Sequence, residues 1–188
     1  VDDAHSTGVL GETGAGTSEH FGLKGRVDLE LGTFSKALAG VGGYVCASEE
    51  VVDYLRFYAH SYVFAAAFPA HVAAGLVASL DVLEREPERL DRLRSNVATL
   101  RRSLVEAGFR LGPSAGAILP VEIGGQDLAL RLGRVVRRRG LFCQTVVFPG
   151  VSRGEERLRL SVSSSHTAED LVLAARILRE SGEEAGVT

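Results

Sequence analysis

Two short segments hold the residue types best suited to chemistry: Asp2-Asp3-Ala4-His5 near the start of the chain, and Gly32-Thr33-Phe34-Ser35-Lys36-Ala37 further on. The first sets carboxylates beside an imidazole, groups that hold a cationic partner and exchange protons near neutrality. The second sets a hydroxyl ahead of an amine, and a lysine amine becomes a nucleophile or base once it loses its proton. Either segment alone has an ordinary explanation. A lysine after a strand is usually a solvated surface residue, and an aspartate-rich strand end is often a turn or a helix cap. Together they carry more weight, because open α/β sheets gather ligands at the carboxyl ends of their strands, where both segments would face one crevice.

The elements that must position these residues follow from period and punctuation. Val27-Asp28-Leu29-Glu30-Leu31 alternates with period two and runs into Gly32-Thr33-Phe34-Ser35-Lys36, so Lys36 is expected just beyond a strand. Gly40, Gly42 and Gly43 then precede Tyr44-Val45-Cys46, a short apolar run that reads as the adjacent strand. Ser48, followed by Glu49 and Glu50, marks a helix start. Residues 61–80 carry no Asp, Glu, Lys or Arg, but Pro69 and His71 interrupt the stretch. The expectation there is a short strand or turn at Tyr62-Val63-Phe64, then a buried helix with Pro69 in its first turn, in preference to a membrane span.

Beyond Pro87, Leu90, Leu93, Val97, Leu100 and Leu104 recur at helical spacing up to Gly108. An apolar run at 117–123 follows, then a helix from about Gln126 to Arg139 closed by Gly140, and an apolar run at 141–148. Residues 157–162 alternate as a strand, and Thr167 with Asp170 opens a last helix in capping-box style. Strand, helix, strand, strand, helix is the order of a small α+β domain appended to the glycine-rich α/β part.

Composition narrows the partners. With 188 residues, 45% hydrophobic and 24% charged, the chain is globular, and a net charge of -3 gives no broad attraction to nucleic acid or anionic membranes. Cys46 and Cys143 share no CxxC or metal-finger spacing, so they read as buried thiols in a reducing, cytoplasmic compartment, and no metal site is expected. Arg131, Arg134, Arg137, Arg138 and Arg139 form a dense basic cluster that reads as a solvated helix face. The chain opens at Val1 in what reads as a strand end and contains no methionine, which suggests a piece of something longer.

Asp2 to His5 also resembles the DEAH box of nucleotide-driven helicases. Such a site needs a phosphate-cradling GxxxxGK[ST] loop, which the sequence lacks, and it would leave the Gly-Thr-Phe-Ser-Lys segment without a role.

The closer resemblance is to the α-oxoamine synthase family of pyridoxal-phosphate (PLP) enzymes. Val1-Asp2-Asp3-Ala4-His5-Ser6-Thr7-Gly8-Val9-Leu10-Gly11 resembles the family's Asp-x-x-His segment with its trailing glycines. Thr33-Phe34-Ser35-Lys36-Ala37 resembles its cofactor-lysine segment, and Arg157-Leu158-Arg159-Leu160 with Ser165-His166-Thr167 resembles its late Arg-x-Arg strand. The likeness runs in register over nearly the whole chain.

That resemblance implies the C-terminal half of a type I aminotransferase-like, PLP-dependent transferase fold. Residues 1–85 would form the C-terminal part of the large α/β cofactor domain, and residues 86–188 the small α+β domain. It implies that Asp2 pairs with the pyridine nitrogen, that His5 contacts the ring's phenolic oxygen and helps position the acyl carbonyl, and that Lys36 binds the cofactor covalently and moves the substrate's α-proton. Thr33 would donate to the cofactor phosphate, and Arg159 would hold the substrate carboxylate. The implied reaction condenses an amino acid with an acyl thioester and releases CO2, in a homodimer with its active site at the subunit boundary. Coenzyme A and an acyl carrier protein both stand as acyl carriers.

Two departures qualify this expectation. Where the family usually carries Ser or Thr hydroxyls that reach the neighbouring subunit's cofactor phosphate, this chain has Ala65 and Ala66. The family's upstream phosphate loop and ring-stacking aromatic are also absent, so the chain alone is expected to bind PLP weakly, to be inactive and to expose apolar surface. Two alternatives stay open. One is another PLP enzyme of the same fold type, such as an aminotransferase; the other is a non-catalytic partner subunit, against which Lys36 argues.

Overall fold

The computed structural model describes residues 1–187 and divides into two compact units, Val1–Leu90 and Asp91–Thr188.

In the first unit, β1 (Leu29–Thr33) pairs antiparallel with β2 (Gly43–Ala47), with Leu31 opposite Val45 and Gly32 opposite Tyr44. On β1's other side Asp2 bridges Leu31 in parallel. The Asp3 amide donates to the Leu31 carbonyl at 2.7 Å, and the Leu31 amide donates to the Val1 carbonyl at 3.0 Å. A one-turn helix, α1 (Thr17–His20), follows the glycine-rich loop, and α2 (Glu49–Tyr58) starts after Ser48 as its acidic first turn suggested.

In the next stretch the turn expected as one alternative is present and the strand is not. Tyr62 and Val63 lie in a single helical turn, α3 (His60–Val63), in which the Val63 and Phe64 amides reach back to the Ala59 and His60 carbonyls. A strand needs a neighbour to pair with, whereas one helical turn satisfies its amides locally. Pro69 is the N-cap of α4 (Ala70–Arg85), one position before the first turn. This helix is not buried: Leu76 is its buried side chain, while Val77 and Leu80 are exposed. Among the described residues no helix is long and apolar enough to cross a membrane.

The second unit is reached along α5 (Glu88–Glu106) and contains β3 (Ile118–Glu122), α6 (Gln126–Arg138), β4 (Gln144–Val146), β5 (Arg157–Ser161) and α7 (Ala168–Ala185). The sheet is antiparallel in the order β3-β5-β4. The apolar run at 141–148 contributes only three residues of strand, because β4 pairs with β5 only from Gln144 to Val146. Leu104, Leu119, Leu132, Leu158 and Leu178 are fully buried and form this unit's core. Burial of each such side chain is worth about 1.5–3 kcal/mol.

Helix α7 starts with the expected capping box. The Asp170 amide donates to Thr167 Oγ1 at 3.2 Å, and the Thr167 amide donates to Asp170 Oδ2 at 2.9 Å. Hydrogen bonds to the carboxylate from the Thr167 amide and the Thr167 side chain hold the Asp170 carboxyl below the usual aspartate range. The arginine cluster faces outward, and Arg139 reaches Glu180 at 2.7 Å and Glu184 at 2.8 Å on α7. Of the two cysteines, Cys143 is partly buried, and that burial pushes its thiol up to about 11. Cys46 is exposed, contrary to the buried-thiol reading, because an edge strand of a two-stranded ribbon has little to cover it.

Candidate active site

The two carboxylates of the Asp2-Asp3 pair have different surroundings. Asp3 is only 3% exposed, and both of its carboxylate oxygens accept from the Thr17 amide, at 3.1 and 3.2 Å. Asp2 is exposed, with Oδ1 accepting the Ala4 amide at 2.9 Å. Main-chain hydrogen bonds from the Ser6 and Thr7 amides to the Asp3 carbonyl, both 3.0 Å, close the turn that carries His5, whose side chain is exposed. The loop beyond is held from inside by Glu19, which accepts from Thr13 Oγ1 and from the Thr13 and Ala15 amides. Burial pushes the Glu19 carboxyl up, but those hydrogen bonds and the charge of Lys24 together hold it below its ordinary range.

Lys36 sits on a loop closed on itself after β1. The Phe34 amide donates to the Gly42 carbonyl at 2.9 Å, the Gly40 amide to the Phe34 carbonyl at 2.7 Å, and the Ala39 amide to the Lys36 carbonyl at 3.1 Å. Leu38 anchors the loop by burial, while the Lys36 side chain is exposed. This loop and the His5 turn meet directly. A Cβ placed on Gly8 would stand 2.7 Å from the Ala37 Cβ, and Gly8 has φ +73°, so glycine permits both the approach and the turn.

Thr33 Oγ1 donates to the Gly42 carbonyl at 3.0 Å and lies 2.8 Å from Ser35 Oγ. Its proton is therefore committed within the loop, which leaves Ser35 as the hydroxyl donor to Thr33. Ser35 was missed in the sequence, although its spacing of two from Thr33 is a hydroxyl-turn signal. Tyr44 was missed as well. Its hydroxyl lies 2.6 Å from Thr7 Oγ1, and its ring covers Gly32, where a Cβ would stand 2.6 Å from it. Phe34 lies 5.5 Å from Tyr44 and 6.1 Å from Phe68, ring centre to ring centre, so an aromatic row supports the lysine loop.

Asp2, His5, Thr33 and Lys36 thus share the first unit, on segments that leave the same end of β1 and its parallel neighbour. Arg159 belongs to the second unit. It lies on β5 opposite Pro120 and Gln144, half-buried, with Nη1 at 3.5 Å from Gln144 Oε1. A cleft of about 450 Å³ in that unit, lined by Arg110, Glu122, Glu155 and Arg157 among others, contains none of the five candidates. No cluster of metal-ligating side chains occurs among the described residues.

An amine, a carboxylate, an imidazole and paired hydroxyls thus lie on segments that leave one end of this sheet. The chain belongs to the aminotransferase class I and II family, which matches residues 1–178. Its relatives place it in the α-oxoamine synthase branch. It is 63% identical over 187 residues to 4-hydroxy-2,2'-bipyrrole-5-methanol synthase PigH of a Serratia species, covering 100% of this chain and 29% of that protein. It is 40% identical over 184 residues to 8-amino-7-oxononanoate synthase 1 of Bacillus velezensis, covering 98% and 47%. Among solved structures, serine palmitoyltransferase from S. paucimobilis with a bound PLP–myriocin aldimine superposes with a TM-score of 0.94 at 32% identity, covering 100% of this chain and 48% of that one. The mixed α/β architecture is that of the PLP-dependent transferase fold. The chain spans about half the length, or less, of the curated relatives it matches.

Proposed function

We propose that the protein containing this chain is a PLP-dependent acyltransferase that condenses an amino acid with an acyl thioester and releases CO2. The observation that supports the reading is the parallel pairing of Val1–Asp3 with β1, by which the segment after Asp2 and the segment that carries Lys36 leave the same end of the sheet. The donor set suits the cofactor: an exposed carboxylate for a ring cation, an exposed amine for an aldehyde, and loop hydroxyls for a phosphate.

When bound, PLP supplies an electron sink for the carbon beside the substrate's amino group, provided that its ring nitrogen stays protonated. Asp2 holds that proton by charge at short range, and the exposed position of its carboxylate supports this role over one for Asp3. Lys36 would hold the cofactor through its aldehyde, and as a free amine it would remove and return the proton on the carbon beside the substrate's amino group. His5 would help to hold the cofactor ring and to orient the acyl carbonyl. Thr33 and Ser35 serve the phosphate, with Ser35 as the hydroxyl whose proton can be redirected. Arg159 grips the substrate carboxylate with its planar fork.

The remainder of the full-length protein supplies the second phosphate loop and the aromatic that stacks on the ring, and a second subunit completes a homodimer. The exposed Phe57 and Phe64, 77% and 81% accessible, are the kind of surface such neighbours cover. Ala65 and Ala66 offer no hydroxyl to a neighbour's phosphate, so the chain's own loop carries that contact. The protein works in the cytoplasm, with an acyl-CoA or acyl carrier protein as donor.

The test uses the full-length protein incubated with PLP. Borohydride reduction and mass mapping should place the pyridoxyl mass on the peptide containing Lys36, and amino acid plus acyl thioester should release thiol and CO2 together. Amino-group transfer without thiol release would replace the reading with an aminotransferase, and absence of any cofactor absorption band would overturn it.

A further inference from the structure

Asp3 connects several parts of the candidate site, and neither the family match nor the site chemistry gives it a task. Its amide donates to Leu31 on β1. Its carbonyl accepts the Ser6 and Thr7 amides and, at 3.0 Å, Thr7 Oγ1. Its buried carboxylate faces the Thr17 amide, and Gly16 gives way to it: a Cβ there would stand 2.4 Å from Asp3 Oδ2, and φ of +106° already excludes most side chains. One residue therefore joins the strand that leads to Lys36, the turn that carries His5 and the loop that opens α1. Asp2 precedes it directly, so the direction of the Asp2 side chain depends on how firmly Asp3 is held.

We propose that Asp3 is a positioning residue, which aims Asp2 and His5 by accepting the Thr17 amide, and that it acts as a hydrogen-bond acceptor and not as the charge opposite the cofactor's ring nitrogen. This rests on the PLP reading above. An acceptor's work can be done by an amide oxygen, whereas holding a pyridinium cannot, so the neutral isostere separates the two roles. Buried polar groups left without a partner are costly, so deleting the acceptor should disturb both the turn and the loop.

The experiment is a pH titration of the bound-cofactor absorption band in full-length protein, with PLP affinity measured in parallel, for Asp3→Asn, Asp3→Ala, Thr17→Pro and Asp2→Asn. Thr17 is the first residue of α1, where proline is tolerated, so Thr17→Pro removes the donor while keeping Asp3. The expected result is that Asp3→Asn follows the wild-type titration, while Asp3→Ala and Thr17→Pro both weaken PLP retention about tenfold and move the titration toward that of Asp2→Asn. If Asp3→Asn moves the titration as far as Asp2→Asn does, Asp3 is a charge partner and the proposal fails. It also fails if Thr17→Pro, folded by circular dichroism, leaves both titration and affinity unchanged. A wild-type protein with no cofactor band would instead overturn the PLP reading itself.

Discussion

The two units keep their shape by different means. In the second, a three-stranded antiparallel sheet and the helices α6 and α7 bury leucines completely, with a cap and surface ion pairs at their margins. In the first, the segments bearing Asp2, His5 and Lys36 are held mainly by hydrogen bonds among loops, while the aromatics of α2 and α3 and the Phe64 that follows lie open. A unit with its own core tolerates little change inside and much outside. A unit whose loops are held by polar contacts leaves more of its apolar residues exposed.

The comparison predicts opposite responses to apolar substitutions, and this is the largest effect expected. Leu158→Ala, at a fully buried position on β5, should destabilise the chain by about 2–5 kcal/mol. Phe64→Ser, at a position 81% exposed, should change urea unfolding of the same chain by less than about 0.5 kcal/mol while raising its solubility. Equal effects from the two would break the distinction between the units.

A smaller effect concerns the capping box of α7. Thr167→Ala should cost about 1 kcal/mol in the second unit. Because the hydrogen bonds to Thr167 lower the folded-state pKa of Asp170, its contribution is present above the ordinary aspartate range and lost as pH falls through the lowered value. Unfolding midpoints from neutral pH into that acid range should therefore fall less steeply for Asp170→Asn than for the natural chain. An unchanged slope would remove this cap from the account of the unit.

The smallest effect belongs to Ser181, fully buried on α7 with no hydrogen-bond partner for its hydroxyl among the described residues. Ser181→Ala should raise stability by up to about 1 kcal/mol, since it removes an unpaired buried oxygen and improves helix propensity. A loss of stability would show that the hydroxyl contributes to packing.

Much of the second unit could be read directly from residue order. The period of Leu93, Leu100 and Leu104, the Thr167–Asp170 pair and the alternation of Arg157 to Val162 each specify a local geometry, and each appears in the fold, the strand ending at Ser161. The misreadings fall in or beside weakly paired segments. Tyr62 and Val63 lack a strand neighbour, the apolar run at 141–148 pairs over only three residues, and α4 has an apolar face with little against it. At the site, the family resemblance pointed to Asp2, His5, Thr33, Lys36 and Arg159, but the contacts of Ser35 and Tyr44 and the burial of Asp3 were not legible. Each of those depends on which atoms face each other across the loops.

The sequence by itself determined the order of elements and the reactive groups, because helix and strand periods, caps and the chemistry of a side chain are local properties. Only the tertiary structure decided that the His5 turn lies against the Lys36 loop through Gly8 and Ala37, and that Asp3 is buried on the Thr17 amide while Asp2 stays exposed. The physical reason is that neighbouring aspartates are chemically identical until the fold gives one a buried donor and leaves the other in solvent.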